Sequence, residues 1–399
     1  MPSVTDVESH LTVAADAVTL ANWQTEPYLD WAFQHLDEVI PTAPIAAAAY
    51  PLVLPRNPTD LTGLPVTLPE GEHSTVGAVM AATDTDGWAV LHRGALVAEA
   101  YPRGMAPQTR HLLMSVSKSL VGMTAGVLVE RGSLDPERAV EAYVPQVAHS
   151  GYAGASVRDL LDMRSGIGFS EEYLDPNADV RIMEQAIDWA PRTSPDVPAT
   201  LYGFLASLKQ ARPHGGPFEY RSCETNMLGW VCEAATGAHL TTLLSELLWQ
   251  PMGAETDGFI GTDSVGTGLA DGGICVTVRD LVRFGSLLLQ DGASAAGVQV
   301  VPAAWVHDTW AGGPDSTAAF AASPTVTLMP GGMYRNQVWH PYASRDVLVC
   351  LGIHGQMVYV NRVTGVVAAK ASSWALPQNG WKLFATLAAF DAIGASLTA

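Results

Sequence analysis

Apolar residues in this chain gather into a few dense runs, and the polar residues between them assign each run to a helix or a strand. The densest run opens at Ser115 and continues Val116-Ser117-Lys118-Ser119-Leu120-Val121-Gly122-Met123-Thr124-Ala125-Gly126-Val127-Leu128-Val129. It has no polar stripe, which predicts a helix buried on every side. Arg131-Gly132 is its stop signal. Residues 87–92 and 95–101 are apolar runs joined by Arg93-Gly94, the pattern of a β-hairpin. Strand character returns at 346–353, 357–360 and 366–371, with turns at His354-Gly355-Gln356 and at 361–365. Helical spacing predicts further helices over 23–39, 224–236, 240–248, 279–290 and 381–393. In the first of these Trp31, Phe33, Leu36 and Val39 fall near one face. Ser156-Val157-Arg158-Asp159 reads as a capping box that opens a short helix ending by Met163.

Strands near residue 90 and near residue 350, with helices between, predict an α/β (α+β) domain built from 76–145 and 270–399. A mostly helical domain, 146–269, is inserted into it. Residues 1–75 carry Pro41, Pro44, Pro51, Pro55, Pro58, Pro65 and Pro69, too many for long helices, and are expected as an extended arm packed on the body. Ligand sites favour the junction of two such lobes.

Composition narrows the function. The 399 residues are 48% hydrophobic and 15% charged, enough for a sizeable core. A formal charge of −19 excludes nucleic acid and anionic membrane as natural partners. Through residue 92 the only Lys or Arg is Arg56, so no secretory signal peptide is recognised, and no apolar run approaches a bilayer span. Cys223, Cys232, Cys275 and Cys350 are scattered, without metal spacing, and are expected as free thiols. These features predict a soluble cytoplasmic protein with no metal site. Asp84-Thr85-Asp86-Gly87 imitates the start of a calcium loop, but Arg93 stands where the closing Glu belongs, so a turn is expected there.

The candidate chemistry lies at the head of the central helix. Ser115 and Lys118 are one helical turn apart and share a face. A hydroxyl there meets unpaired N–H donors and the positive end of the helix dipole, and a desolvated lysine beside it loses its proton more easily. The pair can therefore make a nucleophilic serine; its bland alternative is a helix cap.

Several ordered stretches resemble one family. Ser115-Val116-Ser117-Lys118, residues 158–166, Phe218-Glu219-Tyr220-Arg221-Ser222 and Ile353-His354-Gly355-Gln356 are similar to the serial motifs of class C β-lactamases, penicillin-binding proteins and related esterases. Among these, residues 111–120, 172–176 and Ala371-Ser372-Ser373-Trp374 look like the nylon-oligomer hydrolase branch. The resemblance runs from about Trp23 to the last helix. It implies a β-lactamase/penicillin-binding-protein-like fold with an antiparallel sheet flanked by helices. It also implies a catalytic trio of Ser115, Lys118 and Tyr220, with the oxyanion held by the backbone N–H groups of Ser115 and Ile353. By the same resemblance Tyr173 sits on a mobile loop over the substrate, and His354 replaces the lysine of the third β-lactamase motif. The usual phenol pKa of about 10 is expected to be lowered at Tyr220 by the Lys118 ammonium.

Departures from that pattern bear on substrate. Glu184 falls where the nylon-oligomer enzymes place an aspartate toward the substrate amino group, and Asp271 where they place an asparagine. Gln378 and Glu224 also depart. If both acids face the pocket, Glu184 and Asp271 favour a protonated amine. Without a cation at His354, efficient β-lactam hydrolysis is not expected. The resulting expectation is a cofactor-independent serine hydrolase that cleaves linear amides or esters, amine-terminated ones included, through an acyl-enzyme. A carboxylesterase or acyl transferase of the same fold, and a non-catalytic binding protein, are the alternatives. A homodimer is left open.

Overall fold

The computed structural model describes residues 14–398. Seven of its strands form one sheet: β1 (Thr85–His92), β2 (Ala95–Ala100), β3 (Met333–Arg335), β4 (Val338–His340), β5 (Val347–Gly352), β6 (Gln356–Asn361) and β7 (Val366–Ser372). The order is β2-β1-β7-β6-β5-β4-β3, and every pair is antiparallel. Strands from the two ends of the chain meet where β1 pairs with β7, Ala89 opposite Ala369. Arg93 and Gly94, with φ of 49° and 82°, make the tight turn of the β1–β2 hairpin.

The strands are apolar throughout because both faces of the sheet are covered. Ala89, Leu91, Leu348, Cys350, Val358, Val360, Val367 and Ala369 join the larger core. Their alternates Trp88, Val90, Val347, Val349, Met357, Tyr359, Val366 and Ala368 join a second core on the other face. Period-two alternation is thus present in direction and invisible in polarity. The second core is closed by Ala385, Leu387, Phe390 and Ile393 of the final helix, Gly380–Thr398, which runs past both ends of the expected segment.

The larger core is built around α1 (Val116–Glu130), buried nearly all round as its composition requires. Its glycines permit close approach: a Cβ at Gly126 would sit 2.4 Å from the Trp305 ring, and one at Gly122 2.5 Å from the Asn336 carbonyl oxygen. The other predicted helices form as α2 (Val157–Leu161), opened by the Ser156/Asp159 capping box, α3 (Ser222–Thr236) and α4 (Val278–Leu289). The expected helix over 240–248 forms at Leu240–Leu244 and continues as a wider turn over Ser245–Trp249.

Two expectations are corrected. A continuous helix over 23–39 does not form: an α-helix covers Leu29–Gln34 and a 3-10 turn Leu36–Glu38. Pro27 lacks the N–H a helix needs, and His35 leaves helical geometry at φ −136°. Asp84-Thr85-Asp86-Gly87 is not a free turn either, since Thr85 starts β1 and buried Asp86 faces His111 at 3.2 Å. Of the proline-rich stretch, Thr42–Ile45 adds a strand to a four-stranded sheet with Gly258–Gly261, Ile274–Val276 and His111–Leu112. That sheet ends three residues before Ser115. Among the described residues no helix is long and apolar enough to cross a membrane, and no group of His, Cys, Asp or Glu could hold a metal ion.

Candidate active site

The chain turns sharply from His111–Leu112 into α1, and Met114 takes a left-handed φ of 46° to do so. Ser115 occupies the N-cap position of α1 yet makes no capping hydrogen bond. Its hydroxyl is turned to Lys118, whose Nζ lies 2.8 Å from Ser115 Oγ. Lys118 is fully buried; it also donates to Ser222 Oγ at 3.1 Å and to the Asp271 carbonyl at 2.6 Å. Burial holds its pKa below the ordinary lysine range, against the opposing charges of Asp271 and Glu171. A base within hydrogen-bonding distance of a serine hydroxyl is the arrangement that activates it.

Two residues of this cluster were not expected. Ser222 is two positions after Tyr220 and links Lys118 to Glu171, donating to the carboxylate from Oγ (2.5 Å) and from its backbone N–H (2.9 Å). Glu171 also accepts from the Tyr173 hydroxyl at 2.6 Å. Burial raises the Glu171 pKa, and Lys118 and these donors oppose the rise. Locally Glu171-Glu172 looks like an exposed acidic pair, and only the fold half-buries the first of them.

Tyr220 is brought to the same place, but its ionisation runs opposite to expectation. Lys118 Nζ lies over the Tyr220 ring face, 5.2 Å from its centroid. Burial pushes the phenol well above its ordinary value, Glu171 adds to the rise, and the Ser115 hydroxyl acts the other way. A neutral phenol follows, suited to giving a proton. Stacking on Trp339, 5.3 Å between centroids, fixes the ring.

Two cavities meet at Ser115. The outer, of about 480 Å³, is lined by Tyr220, Trp339, Leu351, Trp374 and Gln378, among others. The inner, of about 30 Å³, is lined by Gln24, Glu184, Asp271 and Ser222 and by apolar side chains, among others. Ser115, Tyr173 and Ile353 line both. Among the described residues the backbone N–H groups of Ser115 and Ile353 donate to no protein acceptor. Two unpartnered donors beside a nucleophile can hold a developing oxyanion.

Comparison with known proteins gives the family of the chain. The beta-lactamase family model matches residues 67–383. A 6-aminohexanoate-dimer hydrolase of Paenarthrobacter ureafaciens is 38% identical over 369 residues, 91% of this chain and 90% of that protein. The chain belongs to the beta-lactamase family. A Bacillus anthracis structure, provisionally named a 6-aminohexanoate-dimer hydrolase, superposes with a TM-score of 0.88 at 26% identity, covering 97% of this chain and 99% of that one. A family VIII carboxylesterase shares the fold at a TM-score of 0.60 and 15% identity, over 79% of this chain and 96% of that one.

Within the beta-lactamase family frame, one substrate-binding expectation needs correction. His354 lines neither cavity. It turns inward at φ 60°, its Nδ1 2.6 Å from the Trp374 carbonyl and its ring edge-on to Phe33. Burial lowers its pKa to about 4, so it is a neutral core residue. Glu184 does reach the inner cavity, but both its oxygens lie 2.7 Å from Arg181 Nη1. Its charge is thus met by Arg181 within the protein. That pairing had a sequence signal, since residues 181 and 184 are neighbours on one helix, Asp179–Ala186. Asp271 lines the inner cavity beside Lys118, its pKa raised by burial and opposed by that lysine. Glu224 lies outside both cavities, paired with Arg221 at 3.3 Å; burial raises its pKa to about 7.

Proposed function

We propose that this protein is a serine hydrolase that cleaves linear amides or esters through an acyl-enzyme, in the manner of its 6-aminohexanoate-dimer hydrolase relative. The observation that carries this reading is the 2.8 Å contact between Lys118 Nζ and Ser115 Oγ at the meeting point of two cavities. Ser115 Oγ attacks the carbonyl carbon while its proton passes to Lys118. The carbonyl oxygen, now negative, is held by the N–H groups of Ser115 and Ile353. Tyr220 gives its proton to the departing nitrogen or oxygen, the C–N or C–O bond breaks, and the proton held by Lys118 restores the phenol. Water then repeats the sequence at the acyl-enzyme, freeing the acid and Ser115. Tyr173, bound to Glu171 through its hydroxyl, walls the site on the sides of both cavities.

No metal or organic cofactor enters these steps. Among the described residues no Lys or Arg lines the outer cavity, so a β-lactam carboxylate has no fixed cation to meet there. The four cysteines are buried free thiols, which suits a reducing, cytoplasmic setting. The test pairs a fluorophosphonate label with turnover of a p-nitrophenyl ester and of the linear 6-aminohexanoate dimer. Labelling and turnover should vanish in Ser115→Ala while the circular dichroism spectrum and melting curve persist. Full activity in that variant would refute the assignment, and turnover of the ester alone would restrict it to an esterase.

A further inference from the structure

We propose that Gln337 is a positioning residue that holds the proton donor Tyr220 in register with the Ser115–Lys118 pair. The proposal rests on the serine hydrolase reading above and adds to it the side chain that sets donor against base.

The backbone marks the place. Strands β3 and β4 are joined by the two-residue turn Asn336-Gln337, and both residues take a positive φ, 49° and 67°. A hairpin turn of this kind is ordinarily made with glycine second, because an L side chain there is strained. Glycine at 337 would make the same turn without strain. It would not supply an amide, and strain retained at a buried position points to work done by the side chain.

That side chain is 1% exposed and fully partnered. Its Nε2 donates to the carbonyls of Leu160 at 2.8 Å and Leu161 at 3.3 Å, at the end of α2. Its Oε1 accepts from Thr225 Oγ1 at 2.8 Å and from the Tyr334 hydroxyl at 3.2 Å. The Gln337 backbone carbonyl accepts from Ser119 Oγ at 2.6 Å. Helix α1 approaches so closely that a Cβ at Gly122 would sit 2.8 Å from Gln337 Cβ. One residue therefore ties α1, next to Lys118, to α3, just beyond Ser222.

From this junction the contacts lead to the phenol. Tyr334 and Trp339 stand directly opposite each other across the hairpin, their rings 4.9 Å apart. Trp339 stacks on Tyr220, and Tyr334 meets the same ring edge-on at 6.3 Å. The hairpin thus grips Tyr220 from two sides, and Gln337 fastens the hairpin to the helix that carries the base. Proton transfer to a leaving group depends on such registration, since a misplacement of about 1 Å can cost about 10²-fold in rate.

Two esters of one acid separate the donor from the base. From p-nitrophenyl butyrate the phenolate departs unaided, whereas from ethyl butyrate the alkoxide needs a proton. Gln337→Gly keeps the turn and deletes the amide. It should lower kcat/KM about 30-fold on the ethyl ester and at most about threefold on the p-nitrophenyl ester, so that their ratio falls about tenfold. In a Tyr220→Phe background the same substitution should leave that ratio within about twofold, because no donor remains to be misplaced. A merely structural role gives the same fall with and without the phenol. That result, or a ratio unchanged in folded Gln337→Gly, overturns the proposal. If Gln337→Gly does not fold, Thr225→Val takes its place. It removes one partner of Gln337 Oε1, and the ratio should fall about threefold in the native background and not in Tyr220→Phe; no fall overturns the proposal. Fluorophosphonate labelling separates the two levels. Enzyme labelled at Ser115 whose ratio does not respond defeats the positioning role alone, whereas unlabelled, inert wild-type enzyme defeats the hydrolase reading beneath it.

Discussion

Two lysines in this protein are buried equally deeply, and only one of them stands in a site. Lys118 and Lys370 are each about 1% exposed or less. Each donates to a serine hydroxyl and to a backbone carbonyl: Lys118 to Ser115 and to Asp271, Lys370 to Ser372 and, at 3.1 Å, to Thr83. Burial lowers both, Lys370 to about 7, and nearby carboxylates oppose the shift in both. By basicity alone Lys370 is as good a candidate as Lys118. The difference lies in the serine. Ser372 ends strand β7, its backbone N–H bound to Gln356 Oε1 at 3.1 Å and its side chain closed in. Ser115 stands at the head of a helix, opens on two cavities and keeps its N–H unpartnered. A tuned base is therefore not sufficient. A reaction also needs room for the acyl and leaving groups and donors for the oxyanion.

Exchanging each lysine for methionine gives the largest contrast. Lys118→Met should cost about 10³ in kcat on an ester. Lys370→Met should stay within about threefold in kcat and instead lower stability by about 1–2 kcal/mol, read from urea melts, because buried Ser372 loses one of its two side-chain partners. Comparable losses of kcat in both variants would erase the distinction. Tyr220→Phe should come next, with amide turnover falling about 10²-fold and ester turnover about tenfold, because an amine leaves poorly without a proton. Equal losses would remove the phenol as proton donor.

A third buried base, His354, extends the comparison to stability. Its pKa is lowered by burial from 6.5 to about 4, so between those values the unfolded chain binds a proton that the native chain does not. Stability contributed by the neutral imidazole is complete above pH 6.5 and falls as pH drops toward 4, by on the order of 3 kcal/mol. His354→Asn should flatten that part of a stability against pH curve and leave the pH dependence of the ester reaction in place. The smallest effect concerns Glu171, whose charge holds Lys118 up. Glu171→Gln should let the lysine pKa fall further, keeping the amine neutral to lower pH, and the acid limb of kcat/KM should move down. A limb that moves up would reverse the sign of the coupling.

Much of the frame was legible because it is local. The run from Ser115 to Val129 could only be a buried helix, and the strands near 90 and 350 carried their own turn signals in Arg93-Gly94 and His354-Gly355. The Ser156/Asp159 capping box formed as written. The helix over 23–39 was misread because apolar periodicity outweighed Pro27. Glu171 was missed because an acid that will be half-buried looks like one that will be solvated. His354 was placed against substrate because a motif fixes its position in the chain and not the direction of its ring.

The sequence by itself determined which segments become helix or strand and that a serine and a lysine share one turn of α1. Hydrogen bonding and side-chain period act within a few residues, so neighbouring residues carry that information. Tertiary structure alone decided that Ser222 joins Lys118 to Glu171 and that the His354 ring faces Phe33. It also set a neutral Tyr220 and a Glu184 paired with Arg181 at the cavity wall. Ionisation and pairing depend on which distant atoms arrive within a few ångströms and on how much water they exclude, and neither quantity exists until the chain has folded.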